Sequence, residues 1–163
     1  MKGWLFHLGA LAGLIALAAV LPAYHANNLA RVLVLNNVRK LIGIHRSRML
    51  ITGAAPISPD LVRWYMALGV PMLEVWGMTE TGSVAVGTPI ERIKPGSIGI
   101  ANAPNEVRLS EEGEILVRGP NVFVGYWGLP DATAEAFRGG WFHTGDLAVM
   151  EPDRYVKIKD RSK

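Results

Sequence analysis

Two loops and one short string carry residue types that could do chemistry. Gly53-Ala54-Ala55-Pro56 has no bulky side chain, and Gly77-Met78-Thr79-Glu80-Thr81-Gly82 sets a hydroxyl beside a carboxylate. Small residues let a flat ligand approach the backbone. A hydroxyl can donate to a phosphate oxygen while the carboxylate next to it ligates a hard cation such as Mg2+. The third string is Gly140-Trp141-Phe142-His143-Thr144-Gly145-Asp146. One carboxylate accepting from two adjacent hydroxyls is the usual way to hold a ribose, and Asp146 follows a glycine that frees the backbone for it. Each string taken alone reads equally as a turn, where Gly, Thr and Asp are common. His143 and Glu74 are read as structural.

The elements that must position these strings follow from periodicity. Arg48 to Thr52 (RMLIT) is a short strand candidate, and Ser58-Pro59-Asp60 supplies an N-cap, a proline at the first helical position and an acid in the first turn. The spacing predicts a helix from about Pro59 to Leu68 that stops at Gly69, then a second strand from Val70 to Trp76. Strand, helix and strand in this order make a βαβ unit with parallel strands. Ligands of such sheets bind where loops leave the carboxyl ends of the strands, which is where the first two strings lie. Upstream, Leu29, Val32, Leu33, Leu35, Val38, Leu41 and Ile42 recur at helical spacing between Asn28 and Gly43. Beyond residue 88 the pattern changes to short β segments at Glu106 to Leu109, Ile115 to Arg118, Phe142 with Leu147 to Met150, and Tyr155 to Lys159, with one short helix over Asp131 to Phe137. The expected fold is α/β: a partial parallel sheet with a βαβ unit, followed by a small β-rich, barrel-like subdomain and preceded by an apolar N-terminal helix. The corresponding divisions are 1–28, 29–88, 89–159 and 160–163.

Composition narrows the function classes. The chain has no Cys, which excludes disulfides, thiolate nucleophiles and Cys-ligated zinc, and its four His are too scattered for a metal-ligand spacing. Up to residue 59 there are six basic residues and no acid, whereas the remainder carries 11 basic and 14 acidic residues. The cations are not interleaved with aromatics, so a nucleic-acid partner is not expected. The basic half suits either solvent or lipid headgroups. From Gly3 to Ala30 there is no charged residue, and Leu8 to Leu21 is an unbroken apolar run of 14. That run reads as a buried or interfacial helix, a membrane span or a signal peptide, and Arg31, Arg39 and Lys40 after it argue for a chain that stays in the cytoplasm, with membrane association through residues 4–21 left open.

In order along the chain, GAAP (53 to 56), VWGMTETG (75 to 82), GEILVRGPNVFVGYW (113 to 127), WFHTGD (141 to 146) and DRSK (160 to 163) resemble the signatures of the adenylate-forming ligases, the family of acyl-CoA synthetases, adenylation domains and luciferases. The stretch ITGAAPISPDLVRWYMALGVPMLEVWGMTET is most similar to bacterial long-chain fatty-acid CoA ligases. The resemblance implies a two-step reaction. A fatty-acid carboxylate attacks the α-phosphate of ATP, giving acyl-adenylate and pyrophosphate, and the thiol of CoA then displaces AMP. It implies ATP/AMP and Mg2+ as cofactors and CoA as co-substrate.

Carried over residue by residue, Thr79 and Glu80 would be catalytic, Thr79 at the phosphate and Glu80 as the Mg2+ ligand. Gly53, Ala54, Ala55, Pro56, Gly77 and Met78 would border the nucleotide, Trp76 stack on adenine, Asp146 and Arg161 hold the ribose hydroxyls, and Lys163 be the hinge. The family usually has Tyr where Trp76 stands, and Trp stacks but lacks the hydroxyl. The family's Ser/Thr/Gly-rich phosphate loop has no counterpart before Gly53, and its catalytic lysine lies beyond the hinge. The chain is therefore expected to be a fragment, inactive alone, whose partners are the missing portions of the same enzyme with a fatty acid, a nucleotide and a possible membrane surface. The alternatives are a non-catalytic, membrane-associated remnant that binds nucleotide or acyl chains, and a serine hydrolase built on Ser83, His143 and Asp146.

Overall fold

The computed structural model describes residues 34–161. The apolar run, the expectations for residues 1–28 and the hinge residue Lys163 lie outside the described residues. Among the described residues there are two compact units, one holding residues 34–48 and 64–70 and one holding residues 49–63 and 71–161.

In the first unit, helix α1 spans Asn36–Leu41, the described part of the helix expected between Asn28 and Gly43. The arginine Nε of Arg39 donates to the Leu68 carbonyl at 2.6 Å, which satisfies one of the orphan acceptors at the end of helix α2, Pro59–Ala67. Leu68 and Val70 are buried in this unit. Helix α2 begins with Pro59, as the missing N–H of proline favours, and the Ser58 carbonyl accepts from Leu61 and Val62. It ends before Gly69, close to its expected bounds.

The second unit holds two sheets. Strand β1 is Leu50–Thr52 and β2 is Met72–Met78, paired in parallel with Leu50 opposite Met72 and Thr52 opposite Glu74. The βαβ unit is therefore as expected, with β2 displaced two residues toward the C-terminus. The displacement has a cause the pattern did not carry. A third strand, β3 (Ser83–Gly87), folds back antiparallel onto β2, pairing Met78 with Ser83 and Val75 with Gly87, and prolongs β2 to Met78. A 3-10 turn over Thr79–Thr81 joins the two. Strand β4, Ile100–Ala101, completes the order β1-β2-β3-β4, so the first sheet takes in residues beyond position 88.

The second sheet is antiparallel: β5 (Glu106–Leu109), β6 (Glu114–Arg118), β7 (Phe137–Arg138), β8 (Trp141–Met150) and β9 (Val156–Arg161), in the order β5-β6-β8-β7 with β9 also on β8. Helix α3, Pro130–Ala136, precedes β7. One correction concerns β8. The β segment expected as Phe142 with Leu147 to Met150 left out 143–146, but the strand runs through them, bending by register shifts opposite Glu114 and at Leu147. A bulge absorbs the extra residue that would otherwise end the pairing. Trp76, Ala85 and Val86 from the first sheet pack with Val107, Ile115, Val117, Phe142, Ala148 and Val156 from the second in one apolar core. The sheets are also tied by backbone bonds from Ile98 to Val156 (2.9 Å) and from Val156 to Gly99 (2.8 Å).

Candidate functional site

Because β1 and β2 run in parallel, the loops that follow them open on the same edge of the sheet. The second unit has a cavity of about 440 Å3 there, within the range that holds a small-molecule ligand. Residues 52–57 and 74–77 line it, with Gly96, Ile98, Asp146 and residues 158–160. Gly53, Ala54, Ala55, Pro56, Trp76, Gly77 and Asp146 are thus brought together. At Gly77 the backbones of β2 and β3 approach closely: a Cβ there would stand 1.9 Å from the Ser83 carbonyl oxygen, so no side chain fits.

Asp146 reaches this cavity from the other sheet through the period-two geometry of β8. Phe142, Thr144, Asp146 and Ala148 are buried on one face, while His143, Gly145 and Leu147 are less so. The indole Nε1 of Trp76 donates to Oδ2 of Asp146 at 2.8 Å, a bond between β2 and β8 across 70 residues of sequence. The local backbone is held as well. Thr144 Oγ1 donates to the Ile115 carbonyl at 2.8 Å and accepts the Asp146 N–H at 3.2 Å, while Glu114 Oε1 accepts the Gly145 N–H at 2.8 Å. His143 faces away, with Nδ1 at 2.7 Å from Glu114 Oε2 and 2.9 Å from Arg138 Nη2. It is structural, as read, and a relay from Ser83 through His143 to Asp146 has no geometry, since His143 and Asp146 lie on opposite faces of one strand.

Met78 and Thr79 line a second, open hollow that shares Ala54, Val75 and Gly77 with the cavity. Glu80 lines neither. Its carboxylate accepts from the phenol of Tyr126 at 3.0 Å, and its carbonyl accepts from the Phe123 N–H at 2.8 Å. Arg161 stands opposite Asp146 in the β8–β9 register.

Glu74, read as structural, is a cavity residue the sequence did not reveal. It is 8 % exposed and its Oε2 accepts the Gly96 N–H at 2.9 Å, which ties the 94–97 turn to β2. Burial pushes its carboxyl above the usual Glu value, partly offset by the Gly96 and Ser97 N–H groups. An acid alternating with buried Met72 and Trp76 in VPMLEVW was the available signal. Among the described residues no helix is long and apolar enough to cross a membrane, and no group of three or more His, Cys, Asp and Glu could hold a metal.

The model of the AMP-binding enzyme family matches residues 11–127. The chain is 41% identical over 128 residues to a feruloyl-CoA synthase of Amycolatopsis sp., covering 71% of this chain and 26% of that protein. To the long-chain-fatty-acid–CoA ligase FadD15 of Mycobacterium tuberculosis it is 37% identical over 132 residues, covering 80% and 22%. Among solved structures, ATP-bound MatB from Rhodopseudomonas palustris matches with a TM-score of 0.67 at 37% identity over 71% of this chain and 26% of that one. A Mycobacterium tuberculosis fatty acyl CoA synthetase gives 0.67 at 28% identity, covering 78% and 29%. The chain spans about a quarter of the length of the curated relatives it matches. The feruloyl-CoA synthase, FadD15 and the fatty acyl CoA synthetase carry the names of CoA synthetases and ligases with different substrates, and on the span of the family match the chain belongs to the AMP-binding enzyme family.

Proposed function

We propose that this chain forms the nucleotide-holding part of an AMP-forming acyl-CoA synthetase, which converts a fatty acid, ATP and CoA to acyl-CoA, AMP and pyrophosphate through an acyl-adenylate. The observation that carries this reading is the convergence of the loop after β1, Trp76 and Asp146 on one cavity, with Trp76 bonded to Asp146. A fatty-acid carboxylate is already ionised at neutral pH and needs no general base, so the protein's task is to position it and to offset phosphoryl charge. In this reading the small residues of 53–56 admit the flat base and Trp76 gives it ring surface. Asp146 accepts from ribose hydroxyls, with Arg161 beside it in the register, and Thr79 contacts the phosphate from the adjoining hollow.

Glu80 would hold Mg2+. A single protein carboxylate suits this ion, which keeps most of its ligands as water and substrate phosphate and is not caged by protein groups. The bound ion would neutralise charge on the phosphates. Lys163 would be the hinge, and the phosphate loop and the catalytic lysine would come from portions of the enzyme outside these 163 residues, so that the chain alone makes no acyl-adenylate. Two measurements test the reading. Calorimetric titration with a non-hydrolysable acyl-adenylate mimic should show binding to the parent chain and a much weaker signal for Asp146→Ala; identical titrations remove the ribose role. Hydroxylamine trapping with ATP, Mg2+ and palmitate should yield no acyl-hydroxamate from the chain alone, and robust product would refute the division of labour.

A further inference from the structure

The 3-10 turn that carries Thr79 and Glu80 is gripped from outside by one segment, the loop between β6 and α3. Asn121 Nδ2 donates to the Thr81 carbonyl at 2.6 Å. The Phe123 N–H donates to the Glu80 carbonyl at 2.8 Å, and the Tyr126 hydroxyl donates to the Glu80 carboxylate at 3.0 Å. The fit leaves no slack: Gly82, at φ +63, would place a Cβ 2.6 Å from the Asn121 carbonyl oxygen. The Tyr126 ring is itself fixed, packing edge to face on Phe123 with centroids 4.8 Å apart. Two backbone anchors therefore set where Glu80 stands, and a third bond sets where its carboxylate points.

We propose that Tyr126 is the positioning residue of the Glu80 carboxylate, holding one oxygen so that the other is oriented for a nucleotide-borne divalent cation, with Asn121 fixing the turn beneath it. The inference rests on the nucleotide reading above. A neutral phenol donating to a carboxylate lowers the freedom of the ligand before the ion arrives, and outer partners of this kind account for about 10- to 100-fold in metal affinity where they have been removed.

The test is calorimetric titration of the 163-residue chain with ATP, in Mg2+ and in EDTA, for the parent and for Tyr126→Phe, which keeps the ring and loses only the hydroxyl. The gain in ATP affinity conferred by Mg2+ should fall about tenfold in the variant, with the metal-free affinity unchanged. An unchanged gain overturns the proposal, and so does a parallel loss in both conditions, which would make Tyr126 a simple packing residue. A parent chain that takes up ATP with no benefit from Mg2+ removes the metal role of Glu80 and this proposal with it. A parent that takes up no ATP overturns the nucleotide reading instead, and amide hydrogen exchange then decides the clamp alone: Asn121→Ala should speed exchange across residues 79–84, and unaltered exchange refutes it.

Discussion

The edge of the sheet at β1 and β2 and the antiparallel sheet β5 to β9 achieve order by opposite means. At the first, side chains are small and the backbone comes close: Ala54 sits at φ +64 and Gly77 meets Ser83 with no room for a Cβ. In the second, side chains fill the space, with Ile115, Val117, Phe142 and Val156 almost wholly excluded from water. The contrast separates two demands on one unit. A cavity needs walls that leave volume, and a core needs walls that remove it.

The largest effect should come from the filled side. Phe142→Ala is expected to cost about 3–5 kcal/mol, a large share of the stability of any domain of this size, and to lower the melting temperature steeply. Whatever remains folded should still bind the acyl-adenylate mimic, and a loss of affinity greater than the loss of folded protein would show that the two regions are not separable. Next is Gly77→Ala, which forces β3 away from β2. Thermal melting should show a smaller stability loss than Phe142→Ala while titration shows binding abolished, and intact binding would mean that the close approach serves packing alone.

Glu74 sharpens the comparison, because it is the ionisable side chain buried in the cavity wall with a raised pKa. In the folded chain it keeps its proton at pH values where the unfolded chain has lost it. Its contribution to stability is therefore fully present below the ordinary Glu value and is lost as pH rises through the raised folded value. Glu74→Gln keeps an acceptor for Gly96 and removes that decline, so the melting temperature of the variant relative to the parent should climb from pH 4 to pH 7. Parallel curves would mean that Glu74 ionises as freely in the fold as in the unfolded chain.

The smallest effect lies on the outer face, where Lys94 bridges Glu151 and Asp153, with Asp153 at 2.8 Å. Lys157 first and then Lys94 hold the Glu151 carboxyl, and Lys94 holds that of Asp153, below their usual ranges, so this support is present at neutral pH and fades as pH falls through the depressed values. Lys94→Ala should lower the melting temperature slightly at low salt and not at all at about 1 M, where exposed pairs are screened.

How much of this was legible depended on whether a feature was local. Helix α2 announced itself through Ser58-Pro59-Asp60 and Gly69, and β5 and β6 as short β segments punctuated by turn residues, because caps and turns are chosen by neighbouring residues. Strand β3 did not, since Ser-Val-Ala-Val-Gly is too short and too small to carry a period and forms only because β2 offers it an edge. The unbroken course of β8 was hidden for the same reason: Thr144-Gly145-Asp146 has the composition of a turn, and only its pairing with β6 and β9 keeps it extended. For the candidate site, residue types singled out 53–56, 77–82 and Asp146, and the resemblance added Trp76. The grip of Asn121 and Tyr126 on Glu80 was not, because nothing in GPNVFVGYW says which backbone it faces.

The bond between Trp76 and Asp146 joins residues 70 positions apart, and the cavity beside it has no existence until that distance is closed. Its walls come from segments far apart in sequence, residues 52–57, 74–77, 146 and 158–160, so the unfolded chain has no such cavity. A molecule seated there recognises only completed chains and should act as a thermodynamic brace for the whole unit: at a hundred times its dissociation constant it would add about 2.7 kcal/mol. For this protein, occupancy and survival would be one quantity, readable as a melting curve that climbs with ligand.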